Sequence, residues 1–310
     1  MTTESNPPNA SLPIIDIGPF LNGTKEEQRV VAQKIYQAAT ETGFTYLENF
    51  GMSSTLIANA FEMSSVFFRS DNKFNIPYDP EINHGYAGVR NEALDPSKPP
   101  DLKESFTTRN ALRLPTGASH WPEPEFESLT REFYAACRNT AETIMRAFAM
   151  ALDLPPDFFN DKHTGLTQTL RFLNYPPSGQ PEAGQLGAGA HTDYGTITLL
   201  FQDNKGGLQV QNVDGDWVDA PPIEGTVVIN TGDLIARWSN DVFKSTPHRV
   251  VPRPESAVEG RQSIAFFSDP DPDVLIETFP SCITDDRPAR YPPITAGEHI
   301  RERILASQRG

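Results

Sequence analysis

Two histidines and one aspartate have the residue types and the spacing of a metal site. His191 and Asp193 stand two apart in His-Thr-Asp, and His248 follows in Ser-Thr-Pro-His-Arg-Val. Successive residues of a strand point to opposite faces, so we expect His191 and Asp193 on one side of a strand and Thr192 on the other. Two imidazoles and one carboxylate on one face of a divalent ion leave its remaining positions open, as in non-haem Fe(II) sites. We therefore predict that these three residues bind Fe(II).

An interpretation without a metal stays open for the same residues. A histidine and a nearby aspartate can form a hydrogen-bonded pair in a β-rich protein that has lost its iron. The protein would then be a non-catalytic module that binds a metabolite, and iron binding after anaerobic reconstitution separates this case from an enzyme. The other histidines lie in loop-like or terminal sequence and are expected to face solvent: His84, His120, His163 and His299.

Composition and charge restrict the class of protein. The 310 residues are 37% hydrophobic and 22% charged, as in ordinary globular proteins. A net charge of -15 argues against a nucleic-acid or anionic-membrane partner. The two cysteines, Cys137 and Cys282, are too few for a disulfide framework. The polar N-terminus and the lack of a long apolar run predict a cytoplasmic protein, whose oligomeric state the sequence does not indicate.

Helical signals dominate the first half of the chain. Thr24-Lys-Glu-Glu27 is a capping box that opens a helix with Val31 and Ile35 on one face. The Pro-, Gly- and charge-rich stretch 71–120 is expected to form long surface loops. Short strands are predicted at 12–17 and 43–47, and further helices at 56–68, 125–152 and 298–307.

The second half changes to short β-type runs. Between residues 168 and 268, segments rich in Val, Ile, Leu, Phe and Thr alternate with Gly, Asp-Gly and Asn-Asp turns, which is typical of an antiparallel sandwich or jelly roll. The predicted fold is therefore mainly β with flanking helices. We expect residues 1–155 to form a helical and loop region that packs on a jelly-roll core of residues 156–310, which ends in a helix. The two parts would make one catalytic unit.

Further motifs lie along nearly the whole chain. They are Leu-Pro-Ile-Ile-Asp-Ile at 12–17, Gly-Phe-Thr-Tyr-Leu at 43–47, Gly-Tyr-Ala-Gly at 85–88, Asp-Leu-Lys-Glu-Ser-Phe at 101–106, Asn-Tyr-Pro-Pro at 174–177 and Asn-Thr-Gly-Asp-Leu at 230–234. With the histidine motifs they resemble the Fe(II)/2-oxoglutarate-dependent dioxygenases of the isopenicillin N synthase-like type. Between His191 and His248 the sequence is most similar to fungal thymine 7-hydroxylase-like enzymes. The resemblance implies a distorted double-stranded β-helix, which is a jelly roll.

The resemblance also implies a cosubstrate site. Arg261 and Ser263 match the family's Arg-x-Ser pair for the distal carboxylate of 2-oxoglutarate, and Tyr175 matches a tyrosine whose hydroxyl reaches the same molecule. Alternation in a strand puts Arg261 and Ser263 on one side, and a guanidinium with a hydroxyl suits a carboxylate. The linker from His248 is long and Pro-rich and is expected to contain an extended loop. A register shift of one residue there would turn Arg261 outward.

The implied reaction is hydroxylation of a C–H bond of a small organic molecule, with Fe(II), 2-oxoglutarate and O2 as cofactors and succinate and CO2 as products. Oxidative cyclisation, desaturation or ring expansion remain alternatives, as does a member of the fold family that does not use 2-oxoglutarate. Arg171 shares the inward face of its strand with Tyr175 and is a candidate substrate anchor. Tyr194 and Phe267 are candidates to flank a planar or apolar substrate.

Overall fold

A computed structural model describes residues 12–95, 97–177 and 184–307. In these ranges the α-helices are α1 (Gly18–Asn22), α2 (Lys25–Glu41), α3 (Ser54–Arg69), α4 (Pro124–Ala151), α5 (Asp233–Trp238), α6 (Pro254–Glu259) and α7 (Ala296–Ser307). The strands are β1 (Ile14–Asp16), β2 (Phe44–Glu48), β3 (His84–Ala87), β4 (Glu104–Arg109), β5 (Thr169–Tyr175), β6 (Ala188–His191), β7 (Ile197–Gln202), β8 (Leu208–Gln211), β9 (Trp217–Asp219), β10 (Thr226–Thr231), β11 (His248–Val250), β12 (Arg261–Ser268), β13 (Leu275–Ile276) and β14 (Ile294–Thr295).

Two antiparallel sheets enclose the interior. The larger has the order β1-β2-β10-β7-β12-β5-β4-β3, in which only β1 pairs in parallel, and the smaller has the order β6-β11-β8-β9. Apolar side chains connect the two sheets: Tyr175 and Ala265 of the larger sheet pack in one cluster with Ala188 and Val250 of the smaller. The fold is therefore mainly β with flanking helices, as predicted.

The long helices cover the outer face of the larger sheet. Thr24 begins α2 with the predicted capping box, in which the Thr24 hydroxyl and the Glu27 carboxylate each bind the other residue's backbone N–H. On α4, the Phe133 ring lies 5.2 Å from that of Phe201 on β7, which fixes the helix on the sheet. No helix in the described ranges is long and apolar enough to cross a membrane.

The prediction of long surface loops over residues 71–120 is wrong. β3 and β4 lie in this stretch and extend the larger sheet beyond β5, and all but the last residue of β4 are buried. Polar residues of this stretch can be buried because they have hydrogen-bond partners inside the fold. The Glu104 carboxylate, for example, accepts hydrogen bonds from Lys73, Tyr86 and Asn174. Composition reports polarity, but it does not report which polar groups have partners inside the fold.

Three of the histidines expected in solvent are also buried. His84, His163 and His299 are 2%, 0% and 7% exposed, whereas His120 is half-buried. His163 shows why: its ring binds the Phe159 carbonyl and the Thr196 hydroxyl, so burial leaves neither nitrogen unpaired. These four residues do not contribute to the metal site described below.

β12 keeps the predicted alternation. Arg261, Ser263 and Ala265 lie on the face toward the smaller sheet, whereas Ile264 and Phe266 join the core beneath the helices. The preceding linker contains the short helix α6 instead of the expected extended loop. Gly260 ends α6 with a φ of 81°, and Arg261 then pairs in register with Tyr175 on β5. The register shift considered above does not occur.

Candidate metal centre and substrate pocket

The three predicted metal ligands come together between the two sheets. His191 ends β6 and His248 begins β11, and the two residues are direct cross-strand partners. One ligand atom from each histidine and from Asp193 lies within 4.8 Å of the others. Asp193 Oδ1 is 3.8 Å from His191 Nε2 and 3.7 Å from His248 Nε2. The expectation that Asp193 shares the strand of His191 is wrong, because β6 ends at His191 and the aspartate lies in the following loop.

Both histidines are held with Nε2 toward the centre of this cluster. His191 Nδ1 donates to the Gly189 carbonyl at 2.8 Å, and His248 Nδ1 donates to the Thr246 carbonyl at 3.1 Å. Because a carbonyl only accepts, each Nδ1 carries a proton, so in the neutral imidazole it is Nε2 that has the free lone pair. Burial, reinforced by the neighbouring His248, lowers the pKa of His191 to about 3. His191 is therefore neutral, the state in which imidazole binds metal.

Asp193 is oriented by two hydrogen bonds to its other oxygen. Thr198 Oγ1 and Asn230 Nδ2 donate to Asp193 Oδ2 at 2.5 and 2.7 Å, which leaves Oδ1 facing the histidines. Burial opposes ionisation, but the two imidazoles and these hydrogen bonds outweigh it and hold the pKa of Asp193 below its usual value. Neither donor was predicted from the sequence. Asn230 belongs to the Asn-Thr-Gly-Asp-Leu motif, whereas Thr198 had no signal beyond its place in a strand.

The N-terminus of α5 supports the loop that carries Asp193. The backbone N–H of Asp233 donates to the Asp193 carbonyl at 2.8 Å, and that of Leu234 donates to the Gly195 carbonyl at 3.1 Å. A side chain at Gly232 would approach the Gly195 carbonyl to 2.5 Å, so only glycine allows this contact. The ligand set of two imidazoles and one oriented carboxylate fits Fe(II), and each ligand has the backing hydrogen bonds that are usual for metal ligands.

Arg261 and Ser263 lie together on β12, on the face toward the smaller sheet. Arg261 is 3% exposed, and its guanidinium donates to Gly206 O, Ser263 Oγ and Gln202 Oε1. It also lies 4.8 Å from the centre of the Tyr175 ring. These acceptors, all in the described part of the chain, are neutral, so the buried positive charge is suited to an anionic ligand. Gln202 and Gly206, which orient Arg261, were not identified from the sequence.

A pocket of about 530 Å³ opens beside the metal ligands. His191 and Asp193 form part of its wall, and the three substrate candidates, Arg171, Tyr194 and Phe267, all line it. Helix α7 contributes Ile300 and Ile304. The volume lies in the range of small-molecule binding sites. The structure thus brings the three candidates to one cavity, although their roles toward a substrate stay predictions.

Arg109 and Asp269 also line this pocket and were not identified from the sequence. The Asp269 carboxylate fills the space in which Gly195 lacks a side chain: a Cβ there would lie 1.5 Å from Asp269 Oδ1. Burial raises the pKa of Asp269 to about 7, and the positive charge of Arg109 limits the rise. The pocket therefore offers charged groups of both signs close to the metal ligands.

Comparisons with known proteins agree with this geometry. Residues 166–270 match the 2OG-Fe(II) oxygenase superfamily, and residues 12–124 match the N-terminal region of the non-haem dioxygenases of morphine synthesis. A 2-oxoglutarate-Fe(II) type oxidoreductase of Aspergillus fumigatus is 32% identical over 97% of this chain and 94% of its own. The chain belongs to the 2-oxoglutarate–Fe(II) oxygenase superfamily. It is a dioxygenase that uses Fe(II) and 2-oxoglutarate, as the motifs predicted.

Two further relatives of this oxygenase are informative. The crystal structure of full-length Neurospora crassa thymine 7-hydroxylase with α-ketoglutarate is 35% identical, covers 98% of both chains and superposes with a TM-score of 0.88. A homoarginine-6-hydroxylase of Glycine max is 29% identical over 96% of this chain and 97% of its own. The likeness to the Neurospora enzyme confirms the predicted double-stranded β-helix.

Proposed function

We propose that this oxygenase hydroxylates a C–H bond of a small polar molecule bound in the pocket of about 530 Å³. In this proposal His191, Asp193 and His248 hold the iron. The observation that carries it is the meeting of their ligand atoms within 4.8 Å at the wall of that pocket. When bound, Fe(II) with 2-oxoglutarate and O2 supplies the oxidant, and succinate and CO2 are released. The chain's own residues orient the substrate and exclude water.

The proposal assigns the distal carboxylate of 2-oxoglutarate to Arg261 and Ser263, with Tyr175 beside them. The support is the buried guanidinium, whose partners in the described chain are neutral acceptors and an aromatic ring. The acceptors fix its plane before the cosubstrate arrives, which lowers the entropy lost on binding. Arg261 and Ser263 lie nearer the start of β12 than Phe267, which lines the pocket. The cosubstrate and the substrate can therefore bind at separate places along this strand.

The proposed substrate is a small, planar or compact polar molecule. Phe267 and Tyr194 provide aromatic surface, and Arg171 provides hydrogen-bond donors in the same pocket. Neurospora thymine 7-hydroxylase has a crystal structure with thymine, so pyrimidines are the first compounds to test. Hydroxylation is favoured over desaturation or cyclisation because two relatives of this chain are named hydroxylases.

We also infer that residues 1–155 and 156–310 work as one catalytic unit. β2 pairs with β10 and β4 pairs with β5, so strands from both parts form the larger sheet. Arg109, from the first part, lines the same pocket as Asp193, from the second. Separating the parts would expose sheet edges and divide the pocket wall.

The test is anaerobic addition of Fe(II) and then 2-oxoglutarate, followed by O2 in the presence of pyrimidines. We expect a weak visible charge-transfer band, succinate formation and a hydroxylated product. Asp193→Ala should abolish turnover while the protein stays folded, because it removes a metal ligand but no apolar core. Asp214→Ala, at an exposed loop position, is the matched control and should keep full activity.

Undiminished succinate formation by Asp193→Ala contradicts the assignment of the metal ligands. Iron binding without the band or succinate contradicts the assignment of the 2-oxoglutarate site. Both measurements are made on the same preparations, with circular dichroism to show that each variant is folded.

A further inference from the structure

The pocket beside the metal ligands contains a closed ion pair. Arg171 Nη1 and Nη2 donate to the two carboxylate oxygens of Glu92 at 3.3 and 2.9 Å, and Nη2 also donates to Ser105 Oγ at 3.2 Å. This parallel two-bond geometry is the strongest arrangement of a guanidinium and a carboxylate. Both residues line the pocket, and both also line a neighbouring cavity of about 500 Å³. The pair therefore stands at the boundary between two cavities.

Two more charges complete the arrangement. Lys103 Nζ lies 3.0 Å from Glu92 Oε2 and 2.5 Å from Asp101 Oδ2, and only 3% of the Lys103 side chain is exposed. Burial opposes the charge on Glu92, but Arg171 and Lys103 outweigh it and hold the pKa of Glu92 far below its usual value. Arg171, Glu92, Lys103 and Asp101 thus form a quartet with no net charge. The positive charge of Arg171 is already compensated before a substrate binds.

Compensation of Arg171 has a consequence for substrate choice. To pair with Arg171, a substrate carboxylate would have to replace Glu92, which is tethered beside Arg171 and competes at an effective concentration on the order of millimolar or above. The displaced Glu92 would also face the incoming like charge. A neutral carbonyl needs no such displacement. Arg171 Nη1 donates one of its two N–H groups to Glu92 and has no other acceptor among the described residues, so its second N–H remains for a neutral acceptor.

We propose that Glu92 determines substrate specificity: by neutralising Arg171 it makes the metal pocket accept neutral carbonyl compounds and reject carboxylates of the same size. This inference rests on the proposed function, because it takes the pocket as the substrate site. Glu92 acts on the substrate through Arg171 and is a positioning residue. Its effect is on binding selectivity, and the iron and 2-oxoglutarate sites do not depend on it.

The experiment compares benzamide and benzoate, which are planar and nearly equal in size but differ in charge. Binding to the Fe(II)–2-oxoglutarate complex is measured anaerobically by calorimetry, with saturating 2-oxoglutarate so that Arg261 is occupied. The wild type should bind benzamide at least about tenfold more tightly than benzoate. Glu92→Gln should strengthen benzoate binding about tenfold or more, the effect of one charge-assisted hydrogen bond, and change benzamide binding much less.

Controls separate the role of Glu92 from a general charge effect. Glu132→Gln removes an equal charge at an exposed position of α4 and should leave both affinities unchanged. The double variant Glu92→Gln/Arg171→Gln should lose the gain in benzoate binding. Glu92→Gln should fold, because Lys103 keeps Asp101 as its partner. Should it nevertheless unfold, Arg171→Gln alone decides: benzamide binding weakens and benzoate binding does not improve.

Equal wild-type affinities for benzoate and benzamide overturn the proposal. The proposal also fails if Glu92→Gln is folded and its affinity for benzoate stays within twofold of the wild-type affinity. The charge-transfer band and succinate formation are recorded for the same proteins. If the wild type shows the band and forms succinate but Glu92→Gln has the selectivity of the wild type, only the proposed role of Glu92 fails. If the wild type shows neither, the proposed function fails.

Discussion

Asn230 donates to the oxygen of Asp193 that faces away from the histidines, and its loss should weaken Fe(II) binding. Its Nδ2 lies 2.7 Å from Asp193 Oδ2, and Asn230 is 3% exposed, so water does not readily replace the bond. A hydrogen bond to a charged group contributes about 1.5–3 kcal/mol. If most of that energy orients the carboxylate, Asn230→Ala should raise the Fe(II) dissociation constant about 10–100-fold, the range seen for residues that support metal ligands. Thr198 retains the second bond to the same oxygen.

The assay is an anaerobic competition for Fe(II) between the protein and a coloured chelator, with turnover measured at limiting and at saturating iron. Asn230→Ala should lose activity at limiting iron and recover most of it at saturation, because the three ligands remain. Asn139→Ala, at an exposed position of α4, is the matched control and should behave as the wild type. A dissociation constant within twofold of the wild type, with only the free energy of unfolding reduced, would refute the reasoning and make the bond purely structural.

Two other predictions concern the cosubstrate site and the pocket carboxylate. Arg261→Met should raise the KM for 2-oxoglutarate about tenfold or more in the succinate assay, because a charge-assisted contact is lost. The control Arg29→Met, at an exposed site, should leave this KM unchanged. An unchanged KM in Arg261→Met contradicts the assigned role. Asp269 has a raised pKa of about 7, so its contribution favours folding at low pH and is lost as pH rises from about 4 to 7. Asp269→Asn should therefore have a higher free energy of unfolding than the wild type at pH 8 but not at pH 4. Chemical denaturation at both pH values measures this difference, and an equal difference at the two pH values contradicts the prediction.

The local elements of this oxygenase follow from local sequence signals. The capping box at Thr24 began α2 as predicted, and the apolar period of α4 placed that helix within one residue at each end. Period-two alternation placed Arg261 and Ser263 on one face of β12. These features depend on residues a few positions apart, whose geometry a helix or a strand determines.

The stretch 71–120 shows where local signals fail. Its proline, glycine and charge predicted loops, yet β4 is a buried strand of the larger sheet. Lys103 is buried beside the neighbouring Asp101 and beside Glu92 from another segment, and Glu104 is buried beside Lys73 and Asn174, which also come from other segments. Burial of a charge is favourable only when partners are present, and sequence alone does not show partners that the fold brings together.

The candidate site also contains residues that the sequence predicted and residues that only the tertiary structure identified. Residue types and spacing, together with the family resemblance of the surrounding motifs, were enough to select His191, Asp193 and His248, because metal chemistry restricts which side chains can serve. The tertiary structure decided that Asn230 and Thr198 orient Asp193, that Gln202 and Gly206 orient Arg261, and that Glu92 neutralises Arg171. Asn230 lies 37 residues from Asp193, and Glu92 lies 79 from Arg171. The ligands are set by what each side chain can bind, whereas their partners are set by sheet pairing and loop packing, which depend on the whole chain.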